Sequence, residues 1–133
     1  MDLHGIQFAG HVNDVRTIWD SHHVLVLTSR VEGMPLAAIE AMICGRPCLL
    51  TDVAGNAELI RDGETGFLAD SASVRAVSDS LERMWNAREA LRSMGERAYM
   101  WTRRYLPGDP ADAMVETLLA EKTDGHSMSR EVA

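Results

Sequence analysis

The sequence predicts an α/β fold in which a parallel sheet of four short strands is flanked by helices. Three observations predict it. The run from His23 through Val24-Leu25-Val26-Leu27 is continuously apolar up to Thr28-Ser29, the pattern of a strand buried on both faces of a parallel sheet. It is followed by a helical stretch from Pro35 to Cys44 and then by a second apolar run, Pro47-Cys48-Leu49-Leu50, so strand and helix alternate. From Ser71 onward the apolar period becomes helical, with Val74, Val77, Leu81, Met84 and Trp85 at spacings of three and four. Alternation of this kind implies right-handed crossovers, and ligands on such sheets bind outside the carboxyl ends of the strands.

Taken in order, Gly5-Ile6-Gln7-Phe8-Ala9 alternates toward a short first strand, and Gly10-His11 turns the chain out of it. Asn13 is a good N-cap for a helix carrying Val15, Ile18 and Trp19. The second strand is the His23 to Leu27 run. Pro35, with fixed φ and no N–H, suits the first helical position, and Gly45 followed by Pro47 is a stop signal at the other end. Pro47 to Leu50 is the third strand, Asp52-Val53-Ala54-Gly55-Asn56 a loop, and Ala57 to Ile60 a short helix. Asp62-Gly63-Glu64-Thr65-Gly66 is a turn cluster before a brief last strand, Phe67-Leu68-Ala69. Asp70 or Ser71 caps the next helix, a further helix covers Glu89 to Tyr105, and Pro107-Gly108-Asp109-Pro110 breaks the chain before an apolar stripe of Met114, Val115, Leu118 and Leu119. The polar tail, residues 123–133, is expected to be disordered, which leaves residues 1–122 as the folded part.

The helix from Pro35 to Cys44 carries Leu36, Ala37, Ala38, Ile39, Ala41, Met42, Ile43 and Cys44, apolar on every side, as in a helix buried all round. Glu40 is its single charge. A desolvated, unpaired carboxylate is very costly, so Glu40 either finds a protein donor or faces a polar ligand. Glu32 precedes the helix start, where Gly33 lets the backbone come close to a ligand and the first-turn N–H groups favour an anion such as phosphate. One site would then offer an anion cradle and two acidic acceptors, the combination that suits a nucleotide attached to a sugar.

Length and composition bound the rest. At 133 residues, 46% of them hydrophobic, the chain supports one domain with an ordinary core. A formal charge of −7 and a pI near 5.1 argue against nucleic-acid and anionic-membrane partners. No apolar run approaches a membrane span, and Met1-Asp2-Leu3-His4 does not open a secretory signal, so the expected location is cytoplasmic. Cys44 and Cys48 lack the further ligands of a zinc site and read as two buried thiols in a reducing compartment; no metal and no cofactor is predicted. His4, His11, His22, His23 and His126 show no ligand spacing. Trp19, Trp85 and Trp101 lie on helical stripes and read as packing residues, and Glu58, in a first helical turn, as an offset to the helix dipole.

The stretch Glu-Gly-Met-Pro-Leu-Ala-Ala-Ile-Glu-Ala-Met from Glu32 to Met42, with Gly-Arg-Pro-Cys-Leu-Leu-Thr-Asp-Val-Ala-Gly-Asn-Ala-Glu-Leu-Ile-Arg-Asp-Gly-Glu-Thr-Gly-Phe-Leu behind it, resembles the nucleotide-sugar half of group 1 glycosyltransferases, retaining enzymes of the GT-B fold. Their signature is a pair of glutamates with seven residues between, as in Glu32 and Glu40. The resemblance extends from Leu3 to Tyr105, with Phe8-Ala9-Gly10 and Gly66-Phe67-Leu68 among its marks.

It implies the latter part of a Rossmann-like donor domain, the C-terminal half of a GT-B enzyme, over residues 1–122. It further implies that Glu32 sits against the donor sugar near its reacting carbon and that Glu40 binds the ribose hydroxyls. By the same resemblance the N–H groups of Gly33, Met34 and Leu36 meet sugar and phosphate oxygens and Gly10 lines the nucleobase pocket; Arg30, which the family pattern does not require, is the nearest cation in sequence for phosphate. The donor would be a nucleotide-diphospho-sugar, bound without metal; no Asp-x-Asp pair is present. The family's basic pair and its acceptor-binding domain would fall before Met1, so the chain is expected to need a separate acceptor domain, to be inactive alone and to self-associate through exposed sheet edge. Ala54 stands where the family more commonly has glycine. The rival readings are a noncatalytic fragment or subunit that binds nucleotide weakly and, more distantly, a nucleotide-sugar epimerase of the same architecture.

Overall fold

The computed structural model describes residues 5–105. Three parallel strands carry the fold: β1 (Leu25–Leu27), β2 (Cys48–Thr51) and β3 (Gly66–Ala69), in the spatial order of the chain. Leu25 pairs with Cys48 and Leu27 with Leu50, while Cys48 pairs with Gly66 and Thr51 with Ala69. The helices are α1 (Arg16–Ser21), α2 (Leu36–Ile43), α3 (Asn56–Leu59), α4 (Val74–Asn86) and α5 (Leu91–Tyr105), with a 3-10 turn at Arg88–Ala90 before the last.

The two-residue period of β2 divides the core. Cys48 and Leu50 face one side, where they pack with Trp19, Ala38, Ile39, Ala41, Met42, Leu59, Ile60 and Ala98. Leu49 faces the other with Phe67, Ala69, Met84 and Met94. All four residues of β2 are buried, so it is the central strand in the sense of burial as well as of order. Helices α2 and α5 meet where Gly45 and Gly95 touch: a Cβ on Gly95 would overlap the Gly45 carbonyl.

Helix α2 stops as the sequence predicts. Gly45 has φ +69, its N–H donates to the Met42 carbonyl at 2.9 Å, and Arg46 N–H reaches back to the Ala41 carbonyl at 2.8 Å, a Schellman closure. Arg46 Nε then donates to the Trp19 carbonyl at 2.7 Å and ties the helix end to α1.

Several expectations are corrected. Residues 5–9 form no strand, and Phe8 is 92% exposed; alternation alone does not make a strand where no ladder satisfies its backbone. The sheet among the described residues therefore has three strands. The run from His23 to Leu27 narrows to Leu25–Leu27 and lies at the sheet edge, with Val26 exposed instead of covered on both faces. Helix α2 is buried on one side: Ala38, Ile39, Ala41 and Met42 are enclosed, whereas Leu36, Ala37, Glu40 and Ile43 are exposed. Pro35 is the N-cap, with ψ 100, and not the first helical residue.

Helix α1 starts after Val15, and the backbone N–H of Arg16 is taken by the Asp14 carboxylate; Asn13 makes no cap there. Ser73, not Asp70 or Ser71, caps α4, its hydroxyl accepting from Ala76 N–H at 3.2 Å. Trp19 is buried, and Trp101 lies against Leu59 and Arg61, but Trp85 is largely exposed. The helix expected around Met114 to Leu119 and the tail from Thr123 lie outside the described residues.

Candidate functional site

The loops that follow the three strands gather at one edge of the sheet, the edge where parallel sheets bind ligands. A cleft of about 480 Å³ opens there, lined by Arg30 from the loop after β1, Asp52 and Val53 after β2, and Asp70, Ser71, Ala72 and Ser73 after β3. All three loops thus contribute to one concavity.

The loop after β1 carries Glu32. Its carboxylate is half-buried and accepts from the Ser29 hydroxyl at 2.6 Å. The same Ser29 offers its carbonyl to the Thr51 hydroxyl at the end of β2. Behind Thr51, Asn56 Nδ2 donates to the Thr51 carbonyl at 2.8 Å, and both residues are fully buried. The neighbouring loop presses on the first: a Cβ on Gly55 would come within 2.6 Å of the Gly33 carbonyl oxygen, so only glycine fits at Gly55. Ala54 before it is held at φ +44, a left-handed conformation that glycine adopts without strain. Gly33 itself has open space around its α-carbon and an ordinary φ, so nothing in the chain's own packing demands glycine there.

Glu40 lies further along α2 on the exposed stripe that also carries Leu36, one turn before it and about 6 Å away along the axis. Exposure removes the need for an internal partner that a buried helix would have imposed. The N–H groups of Leu36 and Ala37 precede the first intrahelical bonds, which Ala38 and Ile39 make to the Pro35 carbonyl at 3.0 and 3.3 Å. They therefore remain open to an outside acceptor. Met34 and Leu36 are exposed beside them, and Gly10 is exposed on its own loop with φ +66.

Of the residues that the sequence singled out, Glu32, Gly33, Met34 and Leu36 sit on one continuous loop and helix start, Arg30 faces the cleft, and Glu40 follows on the outer face of α2. Gly10 belongs to a separate segment. The sequence reading missed Ser29 and the loop from Asp70 to Ser73. The signal for Ser29 was present, since Ser-x-x-Glu is the spacing at which a hydroxyl and a carboxylate meet across a turn.

Of the two thiols expected to be buried, Cys48 is, and desolvation pushes its thiol up to about 12, which leaves it inert; Cys44 is partly exposed, and the two are not joined. Among the described residues no group of three or more His, Cys, Asp or Glu side chains stands close enough to hold a metal ion, and no helix is long and apolar enough to cross a membrane.

Comparison with known proteins agrees with this architecture. The chain is 34% identical over 93 residues to the N-acetyl-alpha-D-glucosaminyl L-malate synthase of Bacillus anthracis, a match that covers 70% of this chain and 24% of that protein. It is 36% identical over 75 residues to the Escherichia coli UDP-Gal:alpha-D-GlcNAc-diphosphoundecaprenol alpha-1,3-galactosyltransferase, covering 56% of this chain and 19% of that one. The chain therefore spans about a quarter or less of the length of these relatives. Among solved structures, the Anabaena protein HepE, crystallised with UDP, superposes with a TM-score of 0.71 at 18% identity, over 90% of this chain and 32% of HepE. Sucrose-phosphate synthase from Thermosynechococcus elongatus gives 0.68 at 24% identity, over 84% of this chain and 28% of the enzyme. These likenesses carry the GT-B fold. Residues 3–101, which hold the three strands, the Glu32 loop and both glutamates, match the family described as Glycosyl transferases group 1, and the chain belongs to that family.

Proposed function

We propose that this chain forms the donor side of a retaining, metal-independent glycosyl transfer, binding a nucleotide-diphospho-sugar at the carboxyl edge of its sheet. The observation that carries the reading is the connection from β1 to α2: a half-buried carboxylate, an open glycine and two uncommitted helix N–H groups follow one another within the six residues from Glu32 to Ala37. Glu32 would lie against the sugar and stabilise the positive charge that develops when the bond from its anomeric carbon to the diphosphate breaks. The N-terminus of α2, through the N–H groups of Gly33, Met34 and Leu36, would meet the negative charge that collects on the departing diphosphate, with Arg30 beside it. Glu40 would accept from the ribose hydroxyls, and Gly10 would border the base. The open space at Gly33 supports close approach by a ligand, since the fold gives no other reason for glycine there. The UDP in the HepE structure and the UDP-galactose named for the E. coli relative make a uridine diphosphate sugar the first donor to test.

The acceptor would be held by a second domain, in the same protein or a partner, and the expected setting is cytoplasmic. A second reading, a noncatalytic unit that binds nucleotide weakly, is favoured by one observation: the outer edge of β1 has no strand beside it among the described residues. Amide NMR of the purified chain, titrated with UDP, GDP and ADP sugars, tests both. Saturable shifts at residues 29–40 for one nucleotide, without transfer, are expected. Shifts confined to α4 and α5 would refute a donor site at the sheet edge.

A further inference from the structure

A line of hydrogen bonds runs through the interior and ends on Glu32. Asn56 Nδ2 at the start of α3 donates to the Thr51 carbonyl at 2.8 Å, the Thr51 hydroxyl at the end of β2 donates to the Ser29 carbonyl, and the Ser29 hydroxyl donates to Glu32 Oε1 at 2.6 Å. Asn56 and Thr51 are wholly buried, and Ser29 is half-buried. No other side chain among the described residues bonds the Glu32 carboxylate.

We propose that Ser29 is a positioning residue for Glu32, and that Thr51 and Asn56 are the buried support that fixes Ser29. The inference rests on the donor-site reading for its functional consequence, though not for its geometry. A glutamate in a loop has three side-chain torsions to lose before it can hold a ligand. The hydroxyl of Ser29 removes that freedom in advance, because a donor to an ionised carboxylate is short, directional and stronger than a neutral pair. It engages one oxygen and leaves the other to a ligand. The hydroxyl has a defined position in turn because the backbone that bears it is anchored to β2, the most enclosed strand of the sheet. Gly55, on the loop after β2, adds a steric stop against the loop that bears Glu32, since a Cβ there would come within 2.6 Å of the Gly33 carbonyl oxygen.

The test uses the intact chain with 13C-labelled glutamate side chains, and the Glu32 carboxylate resonance is identified by its loss in Glu32→Gln. Ser29→Ala should move that resonance toward those of the exposed glutamates, Ser29→Thr should restore it, and Thr51→Val should move it in the same direction by less, with the amide spectrum confirming the fold. A Glu32 resonance that does not respond to Ser29→Ala overturns the inference. The same samples are titrated with UDP and with UDP-glucose. Ser29→Ala should weaken UDP-glucose binding by about tenfold, the size expected for loss of one charge-assisted hydrogen bond, and leave UDP binding unchanged. Equal weakening of both ligands would show a general loosening of the loop and also overturn it. If neither ligand binds the parent chain while the resonance responds as expected, the donor-site reading fails and the positioning of Glu32 by Ser29 stands.

Discussion

Glu32 and Glu40 differ at the level of the single residue in a way that assigns them different kinetic signatures. Glu32 is half-buried and held by a hydroxyl, whereas Glu40 is exposed on a helix face. A fixed carboxylate suits charge that develops only in the transition state, and an exposed one suits binding. In a complete enzyme built on this chain, Glu32→Gln should lower kcat by about a hundredfold with little change in KM, the scale of one lost electrostatic contact. Glu40→Ala should raise KM by about tenfold, the worth of one hydrogen bond to a charged group. Steady-state kinetics checks both, and identical effects of the two changes would contradict the division. The Cys48 thiol supplies a second test. Its value is raised from 9.0 to about 12 by burial, so between those limits the unfolded chain has lost a proton that the folded chain keeps. Folding stability should therefore fall as pH rises above about 9, by about 1.4 kcal/mol for each pH unit from this group. Urea denaturation at pH 7, 9 and 10 should show the slope, and Cys48→Ala should remove that part of it.

At the scale of elements, the contact between the loop after β1 and the loop after β2 governs the site. Ala54 at φ +44 costs about 1–2 kcal/mol for an L-residue, more than the 0.4–1 kcal/mol by which glycine's added freedom favours the unfolded chain. Ala54→Gly should then stabilise the domain by about 0.5–1 kcal/mol. Gly55→Ala should destabilise it by about 1–3 kcal/mol, because its methyl would overlap the Gly33 carbonyl. Thermal melts of the two variants should move in opposite directions. Such loops also mark what a sequence can disclose. The ends of α2 were legible because Pro35 and Gly45 act on their own backbone, and the Glu32 loop because glycine and proline punctuate it. Burial around α2 was not: eight apolar residues predicted enclosure, but only the side that meets β2 and α5 is covered. The strand expected at residues 5–9 failed for the same reason, since a ladder needs a neighbour that local pattern cannot supply. Ser73 displaced Asp70 as the cap of α4 because β3 runs on to Ala69 and the chain needs several residues to turn.

For the molecule as a whole, the flank of β1 that has no strand beside it among the described residues is a liability. Val26 is 45% exposed on that strand, and Leu81 and Trp85 on α4 add exposed apolar surface. An unpaired parallel edge next to apolar side chains favours association with a second copy. Sedimentation equilibrium should show concentration-dependent dimers, and Val26→Lys together with Trp85→Glu should yield a monomer with an unchanged circular dichroism spectrum. The order of the sheet has a further consequence, in time instead of space. Each strand pairs with the next in sequence, so every ladder closes over a single helix-containing crossover and no early segment waits for a distant one. Loop closure of that kind loses little entropy, and sheets assembled from neighbours fold faster than those that join remote ends. The chain should therefore form β2 and β3 with their helices as they emerge during synthesis, before α5 is complete.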